Sequence, residues 1–544
     1  MTIRLQGHGL RAVPLLLVVG LLALSPSARA APTMEVRAVI GMGGWITPAE
    51  TAPLRIDVRS ASPVDGVLAV EVPSGIRGGA PVTHLVPLHV PAGGRQQANL
   101  DVVVHDPRRP VVLVIREGRV ERARHEVRIG VGRVVDGVVA ALTQEAAGLE
   151  FLAAMEGKRR AAYLTEADLP VRWQSYDGVD LLIVRDLEPR VVLPAQERAV
   201  VEWIAQGGRL LVVAPHRLTL SEARWLRDLL PPRGRRTYGR GVVEVAAEDL
   251  FAPDRRARGD LRNQVLALLD DAATPSAADP ALSTVLPSTR PLSGGTQLAL
   301  AFLSLLYVVA ARRLLHRCGA SRGGWIAMAA FVGVSTAVLH TFAAGARTAA
   351  TSLSQLSIAE VLDPLGQARV TTYASIIAPY GGRFVVRVPD GVTARTLTDA
   401  PVTYEEGRRE IRGSTPAGQI SLVARQIVTL PLSARRAGPD ILVVAGGGSR
   451  LEGVVLYRQR QLYRLPSDLG GMIRLDPSRW EPVDRPGTLG VDVAGRAMDL
   501  IFRQLDRTVD ATWLVGPIAD DRLGIRTERP AGDDAVRLAV IEVR

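Results

Sequence analysis

Two apolar runs near the middle of the chain, residues 298–315 and 325–344, constrain it most, because each approaches the ~20 apolar residues that a helix needs to span a bilayer. Arg312, Arg313, His316, Arg317 and Arg322 stand between and beside them without an acidic residue, and positive charge in short loops marks the cytoplasmic side. The pattern predicts transmembrane helices at 298–315 and 325–344 joined by a cytoplasmic loop at 316–324. Arg312, Arg313, Arg317 and Arg322 act as topology determinants, and the first two snorkel to the inner headgroups. A packed helical hairpin away from lipid is the alternative. His340 sits near the outer end of the second run, within reach of interfacial water.

Residues 1–30 carry Arg4 and Arg11, an apolar stretch at 12–24, and Ala28-Arg29-Ala30, the three parts of a secretory signal with cleavage after Ala30. An uncleaved anchor is the other reading. Together with the hairpin, this places the chain in the bacterial cytoplasmic (inner) membrane with most of its mass outside. Cys318 is the single cysteine among 544 residues, so no intramolecular disulfide forms and stability rests on burial. Lys158 is the single lysine, which leaves 65 arginines (66 − 1) in a net charge of +11. The arginines are scattered and not interleaved with aromatics, so nucleic acid is not an expected partner.

From 31 to 130 the chain alternates, as in Leu54-Arg55-Ile56-Asp57-Val58 and Val67-Leu68-Ala69-Val70-Glu71-Val72, with turn residues at short spacing. Period-two segments of this kind predict an Ig-like antiparallel β-sandwich. His84 and His89 are five apart, which puts them on opposite faces of a strand and argues against a metal pair. Past Val131 the strands become continuous apolar runs, Leu181-Leu182-Ile183-Val184 and Leu210-Leu211-Val212-Val213, separated by a helix that Pro194 opens and Gly207-Gly208 stop. Runs without alternation imply a parallel sheet covered on both sides. A Pro- and Ser-rich linker follows at 272–297. Residues 345–544 return to β patterns as an extracytoplasmic β-rich domain, interrupted by a helix at 493–505 with Met498, Ile501, Phe502 and Leu505 on its buried face. Gly446-Gly447-Gly448-Ser449-Arg450 precedes another strand and so reads as a hairpin turn, since a phosphate loop requires a helix N-terminus.

The order ADLPVRWQSYDGVDLLIVRD, LPAQERAVVEWIAQGGRLLVVAP and YGRGVVEVAAEDLF resembles the class I glutamine-amidotransferase-like domain of bacterial envelope membrane proteins, in which it follows a β-sandwich and precedes two transmembrane helices. The resemblance implies a flavodoxin-like α/β domain over 131–271 and partners in envelope assembly. It does not imply activity. An active amidotransferase needs a cysteine nucleophile on a sharp strand-to-helix turn, whereas Ala214-Pro215-His216-Arg217 stands there and Ser221 sits in a helix-capping context. No catalytic residue, metal set or cofactor is therefore assigned. Asp186 and His216 fall just past the ends of two parallel strands, where open α/β sheets place ligands, and form a candidate crevice. The sequence thus favours a non-enzymatic membrane-anchored scaffold or receptor presenting binding surfaces to envelope proteins. The alternative is an envelope hydrolase or small-ligand sensor working at Asp186 and His216.

Overall fold

The computed structural model describes residues 34–543 except 76–78, 144–158, 186–187, 189–190, 214–222, 232–233, 247–254, 271–277, 279, 287–293, 319–321, 349–351, 363–364, 378–382, 390–391, 398–400, 415–418, 439, 447–449, 466–468, 470, 484–491, 506–510, 520–522, 524–525 and 528–533. The expected signal at 1–30, much of the linker, Ser221 and the turn at 447–449 lie outside the described residues.

Seven strands open the fold: β1 (Met34–Ile40), β2 (Thr51–Ser60), β3 (Val64–Val72), β4 (Val82–Val90), β5 (Arg95–Val103), β6 (Val111–Glu117) and β7 (Val120–Val127). The pleat sends alternate side chains to opposite faces, so in β2 Leu54, Ile56 and Val58 are buried while Arg55, Asp57 and Arg59 look outward. One sheet, β1-β2-β5, packs on a second that contains β4-β3-β6-β7. Leu54, Ile56, Leu68, Val70, Leu113 and Ile115 fill the space between them, each contributing about 1.5–3 kcal/mol by leaving water.

The next six strands are β8 (Gly137–Leu142), β9 (Arg159–Leu164), β10 (Val179–Val184), β11 (Arg209–Val213), β12 (Gly234–Tyr238) and β13 (Gly241–Ala246). They form one sheet in the order β9-β8-β10-β11-β13-β12, parallel except for β12 at the edge. Without that edge the order is 2-1-3-4-5, one of the doubly wound arrangements. Helix α1 (Pro194–Ala205) begins at a proline that needs no amide donor, and its Gln196 side chain accepts from the Leu193 amide at 2.8 Å. Its Trp203 and Ile204 pack on one face of the sheet together with Leu226 and Leu229 of α2 (Arg224–Leu229). Val265, Leu268 and Leu269 of α3 (Arg255–Asp270) cover the other face.

Helices α4 (Gly294–Cys318) and α5 (Arg322–Thr348) lie against each other, with Tyr307 stacked on Phe331 at 5.5 Å. Their remaining large apolar side chains face outward; Leu298 is 74% exposed and Ile326 71%. Among the described residues no helix is long and apolar enough to cross a membrane. This corrects the expected fold class in its transmembrane hairpin at 298–315 and 325–344. The inner-membrane location, the membrane as a partner and the membrane-anchored scaffold fall with it. The physical reason lies in what interrupts the runs. The apolar stretch of α4 meets Arg312 and Arg313 before a bilayer thickness is reached, and α5 carries Gly333, Ser335, Thr336, His340 and Thr341 within its run. Arg312, Arg313 and Arg317 are exposed on α4 and Arg322 begins α5, so with no span to orient they are not topology determinants.

The last third starts with β14 (Ser352–Leu362), β15 (Gln367–Ile377), β16 (Arg383–Arg387), β17 (Thr393–Thr396), β18 (Val402–Glu405), β19 (Glu410–Ser414) and β20 (Gln419–Thr429). A nine-stranded sheet runs β17-β20-β15-β14 and continues through Asp534–Val543, Thr512–Pro517, Val455–Arg458, Gln461–Arg464 and Glu481–Val483. Helix α6 (Val493–Leu505) lays Met498, Ile501, Phe502 and Leu505 on this sheet, where Phe502 meets Tyr457 at 5.8 Å between ring centres. The remaining strands join the first part of the chain. β18 pairs in parallel with β4, Thr403 opposite Thr83 and Glu405 opposite Leu85, so one eight-stranded sheet takes strands from both ends of the sequence.

A second tie is ionic. Arg240, in the turn between β12 and β13, donates from Nη1 to Glu360 Oε1 at 2.6 Å, and Arg369 donates from Nε to Glu360 Oε2 at 2.8 Å. The side chains of Arg240 and Glu360 are only 5% and 4% exposed. Burial first, and then the nearness of Arg240 and Arg425, hold the Arg369 guanidinium below its ordinary pKa even with Glu360 beside it.

Candidate ligand-binding site

The sandwich, the α/β part and the C-terminal sheets meet along one seam, and charged side chains fill it. Asp101 on β5 is fully buried and accepts from Arg172 Nη1 at 3.3 Å and from the Ser175 hydroxyl. Arg172 also reaches Glu406 at 3.7 Å, and Glu406 contacts His84 Nδ1 at 3.3 Å. The His84 ring in turn stacks on Tyr404 at 4.7 Å with an interplanar angle of 11°. Asp101, Arg172, Glu406 and His84 therefore form a continuous polar chain through all three parts. Burial, helped by the Glu406 charge, raises the Asp101 pKa despite Arg172 and Ser175. Burial pushes Glu406 upward too, but the hydrogen bond and charge of His84, with Arg172, outweigh it and hold that carboxyl below its usual range.

A few residues away, Arg425 on β20 donates from Nη1 to Asp177 Oδ1 and from Nη2 to Thr51 Oγ1, both at 3.0 Å, and lies over the Trp173 ring at 5.3 Å. Burial opposes its charge, yet Asp177 prevails and its pKa stands above the ordinary arginine value. Arg395 on β17 differs. Its Nη1 donates to the Ala49 carbonyl at 2.9 Å, while burial and then repulsion from Arg425 lower its pKa.

Between these walls lies a cavity of about 300 Å³. Thr51 and Asp101 line it from the first sheet, His84 from the second, and Thr393, Arg395 and Arg425 from the C-terminal sheet. A neighbouring cavity of about 210 Å³ shares His84, Asp101, Thr393, Ala394 and Tyr404 with it. The strand register explains the grouping. Thr393 and Arg395 are two apart on β17 and share a face, and Thr393 lies directly opposite Arg425 on β20. Two polar atoms of this wall, Thr393 Oγ1 and Arg395 Nε, are buried without a hydrogen-bond partner.

Asp186 and His216, the crevice expected from the sequence, lie outside the described residues. The strands ahead of them are adjacent and parallel, Val184 opposite Val212. His84 is buried and His89 exposed, the latter paired with Asp65 at 2.7 Å. Among the described residues no group of three or more His, Cys, Asp or Glu side chains could hold a metal ion. The junction residues themselves carry no sequence motif. The available signal was local, the inward-facing Thr393 and Arg395 of a strand whose other neighbours are apolar.

No protein-family model matches the sequence, and none of the curated proteins does. The amidotransferase-like resemblance is thereby corrected as well: no family model carries it, and the two membrane helices that belonged to its architecture are missing among the described residues. Solved structures give faint likenesses. A Pseudomonas fluorescens alkylpurine DNA glycosylase bound to DNA with an abasic-site analogue is 13% identical with a TM-score of 0.14, over 18% of this chain and 31% of that one. A Paenibacillus sp. cycloisomaltooligosaccharide glucanotransferase complexed with cycloisomaltoheptaose is 7% identical with a TM-score of 0.16, over 72% and 71%. The chain thus spans less than a third of the glycosylase, and neither likeness carries an argument about fold or function.

Proposed function

We propose that this chain is a receptor-type binding protein that takes up a small molecule in the cavity where its three parts meet. The observation that carries this reading is the position of the cavity: its lining comes from residues 49 to 425, from the first sheet, the second sheet and the C-terminal sheet together. Its volume lies at the small end of the range for ligand pockets. A ligand there would touch all three parts at once, and its binding free energy would add to the cohesion of the seam. Binding is favoured over catalysis because the charged groups of the seam are held in pairs, Arg425 with Asp177 and Arg172 with Asp101 and Glu406. A catalytic acid, base or nucleophile must instead be free to meet a substrate.

The test is a thermal-shift screen of small acids, amines, amides and sugars against the full chain. Ligands that raise the unfolding midpoint should lose their effect in Ala394→Phe, which fills the cavity from β17. Stabilisation that persists unchanged in that variant would place binding elsewhere and defeat the reading.

A further inference from the structure

We infer that the junction cavity selects a small organic acid, a single carboxylate on an apolar body, and this rests on the receptor reading above. The two unpartnered polar atoms of the described cavity wall decide the head group. Arg395 Nε and Thr393 Oγ1 come from the same face of the same strand, and both are buried without a partner. A buried donor left unsatisfied costs about 1–3 kcal/mol, so a group that accepts from both recovers that loss on entry. Arg395 can give only protons, and a guanidinium edge matches the planar fork of a carboxylate. Its lowered pKa, caused by burial and by Arg425, supports the same conclusion, since an anion nearby would relieve both penalties.

The body of the ligand follows from the rest of the lining. Val72, Val82, Val103, Ala394, Leu397 and Val423 present apolar surface, and the stacked His84 and Tyr404 rings add a flat wall. A cavity of about 300 Å³ corresponds to roughly ten water volumes, which admits an acid of on the order of ten non-hydrogen atoms. A sugar would leave many hydroxyls facing valines, and inorganic phosphate would leave the apolar lining uncovered. Asp101 lines the same cavity and disfavours a dianion, because it already stands there as an acid whose ionisation burial opposes.

Isothermal titration of the full chain with benzoate and hexanoate, with benzamide, hexanamide and inorganic phosphate as comparisons, tests this. The acids should bind at least about tenfold more tightly than their amides, the size of effect that a charge-assisted hydrogen bond supports. Thr393→Val, close in shape but without the hydroxyl, should weaken the acids by about fivefold to tenfold and leave the amides unaffected. Arg395→Met should abolish the preference for acid over amide, with its unfolding midpoint measured alongside to show that it folds. Amides binding as tightly as acids would overturn the ligand class and leave the receptor reading standing. Phosphate binding more tightly than either acid would overturn it in favour of an inorganic anion. Absence of binding by every probe at millimolar concentration would defeat both readings.

Discussion

Glu360→Gln is the most informative single perturbation of the fold. Glu360 lies on β14 and accepts from Arg240 at 2.6 Å and from Arg369 Nε at 2.8 Å, with Arg369 Nη2 as a third donor. All three side chains are buried or nearly so. Glutamine keeps the shape but turns an acceptor-only group into one with a donor amide, and guanidinium protons then face amide protons. More importantly, it leaves two cations in a dry seam with no counter-charge. Breaking a buried ion pair from one side costs about 3–5 kcal/mol, whereas replacing all members by apolar groups is often neutral or stabilising. Urea denaturation followed by tryptophan fluorescence should therefore show the first transition of Glu360→Gln lowered by about 3–5 kcal/mol. The triple variant Arg240→Met, Glu360→Met, Arg369→Met should recover most of that loss. Because Arg240 belongs to the α/β part and Glu360 to the C-terminal sheet, the loss should fall on the transition that separates them. A change below about 1 kcal/mol in the single variant would refute the argument, since that is the scale of a solvated surface pair.

Three further outcomes follow from the same physics. Asp101 has its pKa raised in the folded chain by burial, so relative to an ordinary aspartate at 3.8 it contributes stability that is complete below that value and is lost as pH rises through the raised one. Asp101→Asn should accordingly flatten the decline in urea midpoint from about pH 4 to about pH 6, and a profile parallel to the unaltered chain would count against this. Gly241→Ala puts a methyl group 1.9 Å from the Ile204 carbonyl and 2.4 Å from that of Gly208, so backbone must shift; a loss of at least about 2 kcal/mol in denaturation is expected, and a loss of a few tenths would show the turn to be pliable. Replacing Phe302, Leu305, Ile326 and Val334 on the outer faces of α4 and α5 with Gln should lower the mean mass seen by light scattering at a given concentration, and an unchanged mass would show that apolar contact is not what associates the chain.

Strand grammar was the readable part of the sequence. The alternation of Leu54, Ile56 and Val58 marks the inward face of β2, and the unbroken runs at Leu181–Val184 and Leu210–Val213 mark central strands of a parallel sheet. Such patterns survive in one dimension because a strand's two faces are set by its own pleat. The hairpin was misread because hydropathy reports how apolar a run is and cannot report what stands beside it; α4 and α5 pair, and their outer faces stay exposed. The candidate site was illegible for a different reason. Asp101, Arg172, Arg395 and Glu406 meet across intervals of up to about three hundred residues, and each is one charge among 66 Lys+Arg and 55 Asp+Glu. β14 shows the same limit: Ser352, Ser354, Gln355 and Ser357 suggest a solvated strand, yet every residue of it is buried.

The parallel contact between β4 and β18 gives this chain a timetable. β4 leaves the ribosome long before its neighbour exists, and at 5–20 residues per second the wait lasts roughly 15–60 s. Through that interval β4 offers an open row of amides and carbonyls on the side that Thr403, Tyr404 and Glu405 will occupy. An unpaired edge of that kind recruits whatever strand arrives first. Nascent chains on neighbouring ribosomes carry the same β4, so synthesis rate and chaperone cover should govern yield more strongly than the stability of the finished fold. A fragment ending before Val402 would never leave the waiting state.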